Sequence, residues 1–243
     1  MGYATSGAFD NKHRMRILAI DASCGAVSGC VLDSGADEAI ARHSEPMERG
    51  HAEALAPLIE RLIGGVEGGF ATLDRIAATV GPGSFTGIRI GLATARAMGL
   101  ALEIPVIGVS TLVAFAGPLL FEPGPGIIAS VIDARHGRVY FQLFESTGRP
   151  LIPARLEGLR EAVRAVGAGP VRMTGNGARL LAVEAARAGY GVELVSSADF
   201  PDILAVARVG LAADPRDCPP RPLYLKPPDA QPAVGASVAR ANP

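Results

Sequence analysis

Ile20-Asp21-Ala22-Ser23-Cys24-Gly25-Ala26-Val27 returns later in the chain, in outline, as Ile132-Asp133-Ala134-Arg135-His136-Gly137-Arg138-Val139. Each copy follows an apolar run (Ile17 to Ala19; Ile127 to Val131), and each continues into a second one (Val27 to Leu32; Val139 to Phe144). The spacing predicts strand, Asp-bearing turn, strand: a hairpin with an acid at its mouth and glycine in the bend. Two such hairpins, each trailed by helical patterns and further strands, imply a duplicated α/β chain whose halves face each other. A cleft between the halves would set Asp21 and Asp133 on opposite walls. Each acid can equally cap its own turn by hydrogen bonding.

A second signal lies between the hairpins, in Gly81-Pro82-Gly83-Ser84-Phe85-Thr86-Gly87-Ile88-Arg89-Ile90-Gly91. It follows the apolar run Ile76 to Val80 and opens a helical pattern ending near Leu102. Gly81, Pro82 and Gly83 make a tight turn, and Ser84 or Thr86 can cap the helix. Free N–H groups in the first helical turn could hold a phosphate, or the turn can be a plain strand-to-helix corner. No Lys-Ser/Thr pair follows, so this is not a P-loop. The glycine spacing also misses the dinucleotide fingerprint.

Within that helix Gly87, Gly91, Ala95 and Gly99 fall every fourth position, a stripe along one side. An interior glycine costs about 1 kcal/mol relative to alanine, so close approach of another backbone is expected there. That backbone belongs either to this chain's own sheet or to a second polypeptide. The adjacent pattern Arg49 to Ile63 carries Leu55, Leu58, Ile59, Leu62 and Ile63 at helical spacing, with Pro57 expected to kink it or delay its start. On the second-chain reading the partner surface comprises His51, Leu55, Leu58, Leu62, Gly87, Gly91, Ala95 and Gly99.

The remainder bounds the function. At 243 residues and a net charge of −1 the chain can form two modest lobes and carries no broad basic field. A local patch at Arg208, Arg216, Arg221 and Lys226 stays open. No apolar stretch approaches the ~20 residues of a membrane helix. Three cysteines (Cys24, Cys30, Cys218) without paired or metal-type spacing point to a reducing cytoplasm. The four histidines form no i, i+4 pair, and Ser84 has no nucleophile elbow or spaced partner, so neither metal nor catalytic residues are expected. Residues 1–14 read as a disordered extension, 15–110 as a first lobe and 111–226 as a second, whose last helix is free to return to the first. Residues 227–243 read as a mobile tail. The break at Pro123 to Gly126 is the expected boundary. In the second lobe a helix is expected over Leu156 to Val166. The turn Thr174-Gly175-Asn176-Gly177 should lead into another from Ala178 to Ala188, and a third runs from Pro201 to about Ala213.

The paired hairpins are similar to those of the actin-like superfamily (ASKHA, RNase H-like). This implies a two-lobed α/β fold with duplicated βαβ-type halves, in which Asp21, Ser23, Asp133, Gly175 and Gly177 would face a nucleotide, with Gly81, Gly83, Ser84 and Thr86 forming a loop beside it. The resemblance sharpens further. Arg16 to Asp21, His51-Ala52-Glu53, Gly81 to Gly91, Ile132 to Arg135 and Pro222-Leu223-Tyr224-Leu225-Lys226 together resemble the TsaB (YeaZ) family. That resemblance implies an accessory, non-catalytic subunit of bacterial tRNA threonylcarbamoyladenosine (t6A) synthesis. It implies pairing with a TsaD-type paralogue through the first two helices, a TsaE-type P-loop ATPase in the complex, homodimers when alone, and only indirect contact with tRNA. No cofactor is expected for the chain itself, and ATP or ADP with Mg2+ belongs to the assembled complex. The alternative is an actin-like ATPase or phosphotransferase using Asp21 and Asp133.

Overall fold

Alternation with period two splits each strand's apolar residues between two faces. In β1 (Arg16–Asp21), Ile17 and Ala19 point to one core while Leu18 and Ile20 point to another. The fold, a computed structural model describing residues 14–122 and 124–225, builds two five-stranded mixed sheets on this pattern. The expected extension (residues 1–13 of it), Pro123, Lys226 and the tail lie outside the described residues.

The first sheet comprises β1, β2 (Ala26–Asp33), β3 (Ala41–Pro46), β4 (Arg75–Gly81) and β5 (Val106–Ser110), ordered β3-β2-β1-β4-β5. β1–β2 and β2–β3 are antiparallel; β1–β4 and β4–β5 are parallel. The second sheet comprises β6 (Ile127–Asp133), β7 (Arg138–Glu145), β8 (Pro150–Gly158), β9 (Val171–Thr174) and β10 (Glu193–Leu194). Its order, β10-β9-β6-β7-β8, is the same plan read from the other end. Two copies of one plan make this the two-lobed actin-like fold.

Helices fill three layers around the sheets. α1 (His51–Gly64) and α2 (Phe85–Leu102) cover the outer face of the first sheet, burying Leu55, Leu58, Ile88 and Leu92 against Leu18, Ile20 and Ile76. α3 (Thr111–Phe121) and α6 (Ile203–Ala212) lie between the sheets, in a core that joins Ile17 and Ala77 to Ile128 and Phe144. α4 (Leu159–Val166) and α5 (Ala178–Arg187) cover the outer face of the second sheet. α6 approaches the first sheet closely at Gly210, where a Cβ would stand 2.6 Å from the Ala77 Cβ. Arg75 then donates to the carbonyls of Gly210, Leu211 and Ala213 at the end of that helix.

Two details differ from expectation. α1 begins at His51, so Pro57 does not delay its start, and the proline lies on the exposed side, where water can serve the carbonyl it leaves unbonded. The stretch Leu156 to Gly158, expected as helix, instead ends strand β8, and the helix starts only at Leu159.

Candidate functional site

The two sequence-matched aspartates occupy different levels of their sheets. Ile20 pairs with Ala78, which puts Asp21 beside Thr79, two residues short of the end of β4. In the second sheet Ser130 already pairs with Thr174, the last residue of β9. Asp133 therefore overhangs its neighbour strand and is exposed, whereas Asp21 is 1 % exposed.

Asp21 is held by its own chain. Its Oδ1 accepts from the Ser23 amide (3.0 Å), the Ser23 hydroxyl (2.6 Å) and the Thr79 hydroxyl. Its Oδ2 is buried without a partner. Burial pushes the carboxyl pKa up, against the hydrogen bonds of Ser23 and Thr79 that pull it down. Asp133 forms an ordinary turn: its Oδ1 accepts from Arg135 N (2.7 Å), and its amide donates to Asn176 Oδ1 (2.9 Å). Of the two acids expected on opposite walls of a cleft, Asp21 is thus buried in its own turn and Asp133 is exposed. Among the described residues no group of three or more His, Cys, Asp or Glu is placed to hold a metal.

The glycine-rich loop packs against the β1–β2 turn. Ser84 caps α2 by accepting from Gly87 N (3.2 Å), but its own amide donates to the carbonyl of Ser23 at 2.7 Å. A Cβ on Gly83 would stand 2.2 Å from that same oxygen, and one on Gly87 only 1.8 Å from the carbonyl of Ala22. The β1–β2 turn therefore packs against Gly83 and Gly87 and takes up the Ser84 amide, while Ser84, Phe85 and Thr86 stay exposed at the helix N-terminus. Gly81 is turned toward Leu223, and Thr86 is exposed in the first turn. In the second lobe Gly175 and Gly177 serve close packing on β6, with Cβ positions 2.2 Å from Val131 O and 2.7 Å from Asp133 N. Between the lobes, Cys24, Tyr140 and Ala154 pack against the buried Leu112, Phe115 and Ile132. The Asp199 carbonyl ties both turns together, accepting from Gly25 N (3.3 Å) and Asn176 Nδ2 (3.5 Å). Burial drives the Cys24 thiol pKa upward, so it stays protonated and is no nucleophile.

The small-residue stripe is corrected as well. Gly87, Gly91, Ala95 and Gly99 are buried against this chain's own turn and strands, and a Cβ on Gly99 would stand 2.3 Å from Val106 Cγ2. Leu55, Leu58 and Leu62 are 1 %, 0 % and 4 % exposed, and Leu58 and Leu62 close over Gly29 of β2. None of these residues offers a surface to another polypeptide. His51 alone of that set is half-exposed, its Nε2 lying 3.1 Å from the Cys24 carbonyl.

What remains available on α2 is its opposite side: Phe85, Arg89, Arg96 and Leu100, the last 83 % exposed. A strap from the end of the described chain reaches it. Gly108 N donates to Cys218 O (2.8 Å), Leu223 N donates to Val80 O (2.8 Å), and Arg96 donates to Pro220 O. Tyr224 then packs on Phe85 with ring centroids 5.5 Å apart. Arg89 lies 3.7 Å over the Phe85 ring and donates to Tyr224 Oη at 3.1 Å. Sequence reasoning passed over Phe85 and Tyr224; the signal was an aromatic at the first helical position, with a second in the Pro222-Leu223-Tyr224 run. Of the basic patch, Arg216 pairs with Asp214 (2.7 Å), Arg208 donates to Asp37 O and lies over Phe121, Arg221 is exposed, and Lys226 lies outside the described residues.

With this geometry in hand, comparison places the chain among known proteins. Residues 43–200 match the family described as TsaD: tRNA N6-adenosine threonylcarbamoyltransferase. The chain is 35 % identical over 131 residues to the tRNA threonylcarbamoyladenosine biosynthesis protein TsaB of Escherichia coli, covering 54 % of this chain and 55 % of that one. It thus spans about half the length of the curated TsaB relatives it matches. An uncharacterised protein of Mycobacterium tuberculosis is 31 % identical over 216 residues, 89 % of this chain and 94 % of the relative. Among solved structures, YeaZ from Pseudomonas aeruginosa superposes with a TM-score of 0.65 at 26 % identity, covering 87 % of this chain and all of the other. Among the described residues no helix is long and apolar enough to cross a membrane.

Proposed function

For a chain that belongs to the TsaB (YeaZ) family, related to the TsaD-type threonylcarbamoyltransferases, we propose a non-catalytic role in forming N6-threonylcarbamoyladenosine at adenosine 37 of tRNA. The observation that carries it is the burial of Asp21, the acid expected to face a nucleotide, under hydrogen bonds from Ser23 and Thr79. The backbone of Ala22 and Ser23 packs closely against Gly87 and Gly83, and the Ser84 amide is taken by the Ser23 carbonyl. A fold whose sequence-matched acid is used up in its own turn is suited to binding rather than to chemistry.

The partner is a TsaD-type catalytic paralogue, docked on the outer side of α1 and α2. That side combines Phe85, Arg89 and Tyr224 with Leu100 and small residues such as Ala56, Ala93 and Ala97, all exposed. Aromatic and arginine anchors among small residues are the composition of an interface centre. A TsaE-type ATPase joins the assembly, copies of the chain pair through the same side when TsaD is absent, and the complex works in the cytoplasm.

Depleting the chain and quantifying t6A nucleoside in bulk tRNA by mass spectrometry tests the role. Loss of the modification, restored by the wild-type chain, is expected; unchanged t6A under complete depletion would overturn it.

A further inference from the structure

On the far side of the molecule from α1 and α2, helices α4 and α5 enclose an open groove of about 310 Å³. Its floor is Val163, Ala188 and the partly buried Tyr190, and its rim carries Arg160, Arg164 and Arg187. The three arginine side chains are 82 %, 77 % and 74 % exposed. Their counter-charges are few. Arg160 (3.6 Å) and Arg187 (3.3 Å) share the single carboxylate of Glu184, and Arg164 reaches Glu161 only at 3.9 Å. Between residues 159 and 190 there are five arginines and two glutamates, in a chain whose net charge is −1.

We propose that this groove binds the sugar-phosphate backbone of RNA. The inference rests on the tRNA-modification reading and adds to it a direct contact made by this chain. Exposed arginine–glutamate pairs are worth about 0–1 kcal/mol, so their guanidinium groups exchange readily onto phosphates, which they can grip with two hydrogen bonds each. Arg160 and Arg164 stand one helical turn apart, about 5–6 Å between Cβ atoms, and so present two forks in a row to a linear polyanion. Tyr190 at the floor offers a ring on which an unpaired base can stack. Because the groove faces away from α1 and α2, a TsaD-type partner docked on those helices leaves it open.

The test is fluorescence anisotropy with the purified full-length chain and a fluorescein-labelled, unmodified tRNA transcript, titrated across salt. Wild type is expected to bind with strong salt dependence. The triple variant Arg160→Glu, Arg164→Glu, Arg187→Glu should bind at least tenfold more weakly, and its log K against log salt slope should fall by about 2–3. Circular dichroism checks that the variant is folded, and the triple Arg→Gln variant gives the same reading with less charge change. Arg216→Glu, outside the groove, should bind as wild type does. Wild-type chain that fails to bind at low salt overturns the proposal, as does binding indifferent to the groove variants. Polyglutamate that competes as well as RNA does would assign the groove to an acidic protein segment and equally overturn it. Any of these outcomes with t6A still dependent on the chain refutes the groove and leaves the subunit role standing.

Discussion

The carbonyl oxygen of Ala22 lies 1.8 Å from the point where a Cβ on Gly87 would stand. The first turn of α2 and the β1–β2 turn are therefore in close backbone contact. One turn along the same helix, a Cβ on Gly91 would meet only the Ala22 Cβ, at 3.9 Å. Two alanine substitutions should consequently have opposite signs. Gly91→Ala should raise stability by about 0.5–1 kcal/mol through helix propensity. Gly87→Ala should lower it by about 1–3 kcal/mol, because a backbone carbonyl must move. Urea midpoints decide; equal shifts for both would contradict the packing.

Burial without a partner for Oδ2 makes Asp21 a pH-dependent element. Its carboxyl pKa is raised in the fold, so its contribution is fully present below the ordinary aspartate value of about 3.9. It fades as pH climbs through the higher, folded value. Asp21→Asn removes that dependence while keeping an acceptor for Ser23 and Thr79. Relative to wild type, the variant's melting temperature should therefore improve from acid toward neutral pH. Parallel melting curves across that range would show that Asp21 does not titrate differently on folding.

Arg16 and Asp33 behave in the reverse sense. The guanidinium grips the carboxylate at 2.7 and 3.1 Å, with side chains 22 % and 10 % exposed, and also donates to the Thr72 hydroxyl. The hydrogen bond from Arg16 holds the Asp33 pKa below its usual range. Its stabilisation is present above the unfolded value and is lost as pH falls through the folded one. At pH 7, Arg16→Ala should cost about 1–2 kcal/mol, with the deficit shrinking in acid. A deficit constant down to pH 2 would assign the effect to packing of the arginine stem alone.

Leu100→Glu separates docking from folding. The side chain is 83 % exposed, so the monomer's stability should change by no more than about 0.5 kcal/mol. Co-purification with the TsaD-type paralogue should nevertheless fall at least tenfold, as should pairing of the chain with itself. Tyr224→Ala is expected to act in the same direction, since it removes the ring packed on Phe85. Undiminished co-purification of both variants would move the docking face elsewhere.

Much of the fold could be read ahead because its signals are local. The hairpins at Asp21 and Asp133 and the helix after Gly83 all showed in strand alternation and turn residues. Strands β3 and β8 went unread for a physical reason. They are edge strands, one solvent-facing with Arg42, His43 and Glu45, the other carrying Pro150 and Pro153, and neither shows a clean apolar alternation. The site was read less well. The close backbone approach expected along the stripe is met at Gly87 and Gly99 but not at Gly91, and spacing is silent about whose backbone arrives.

Hydrophobic periodicity and turn chemistry, which act over a few residues, determined by themselves the duplicated halves and the glycine-lined helix. Only tertiary structure decided that Asp21 sinks level with Thr79 while Asp133 overhangs β9, that Ala22 packs against Gly87, and that three arginines gather around one groove. Each of those outcomes depends on register and layering between segments far apart in the chain. Such pairings are chosen by the packing of the whole core and leave no mark in any single stretch.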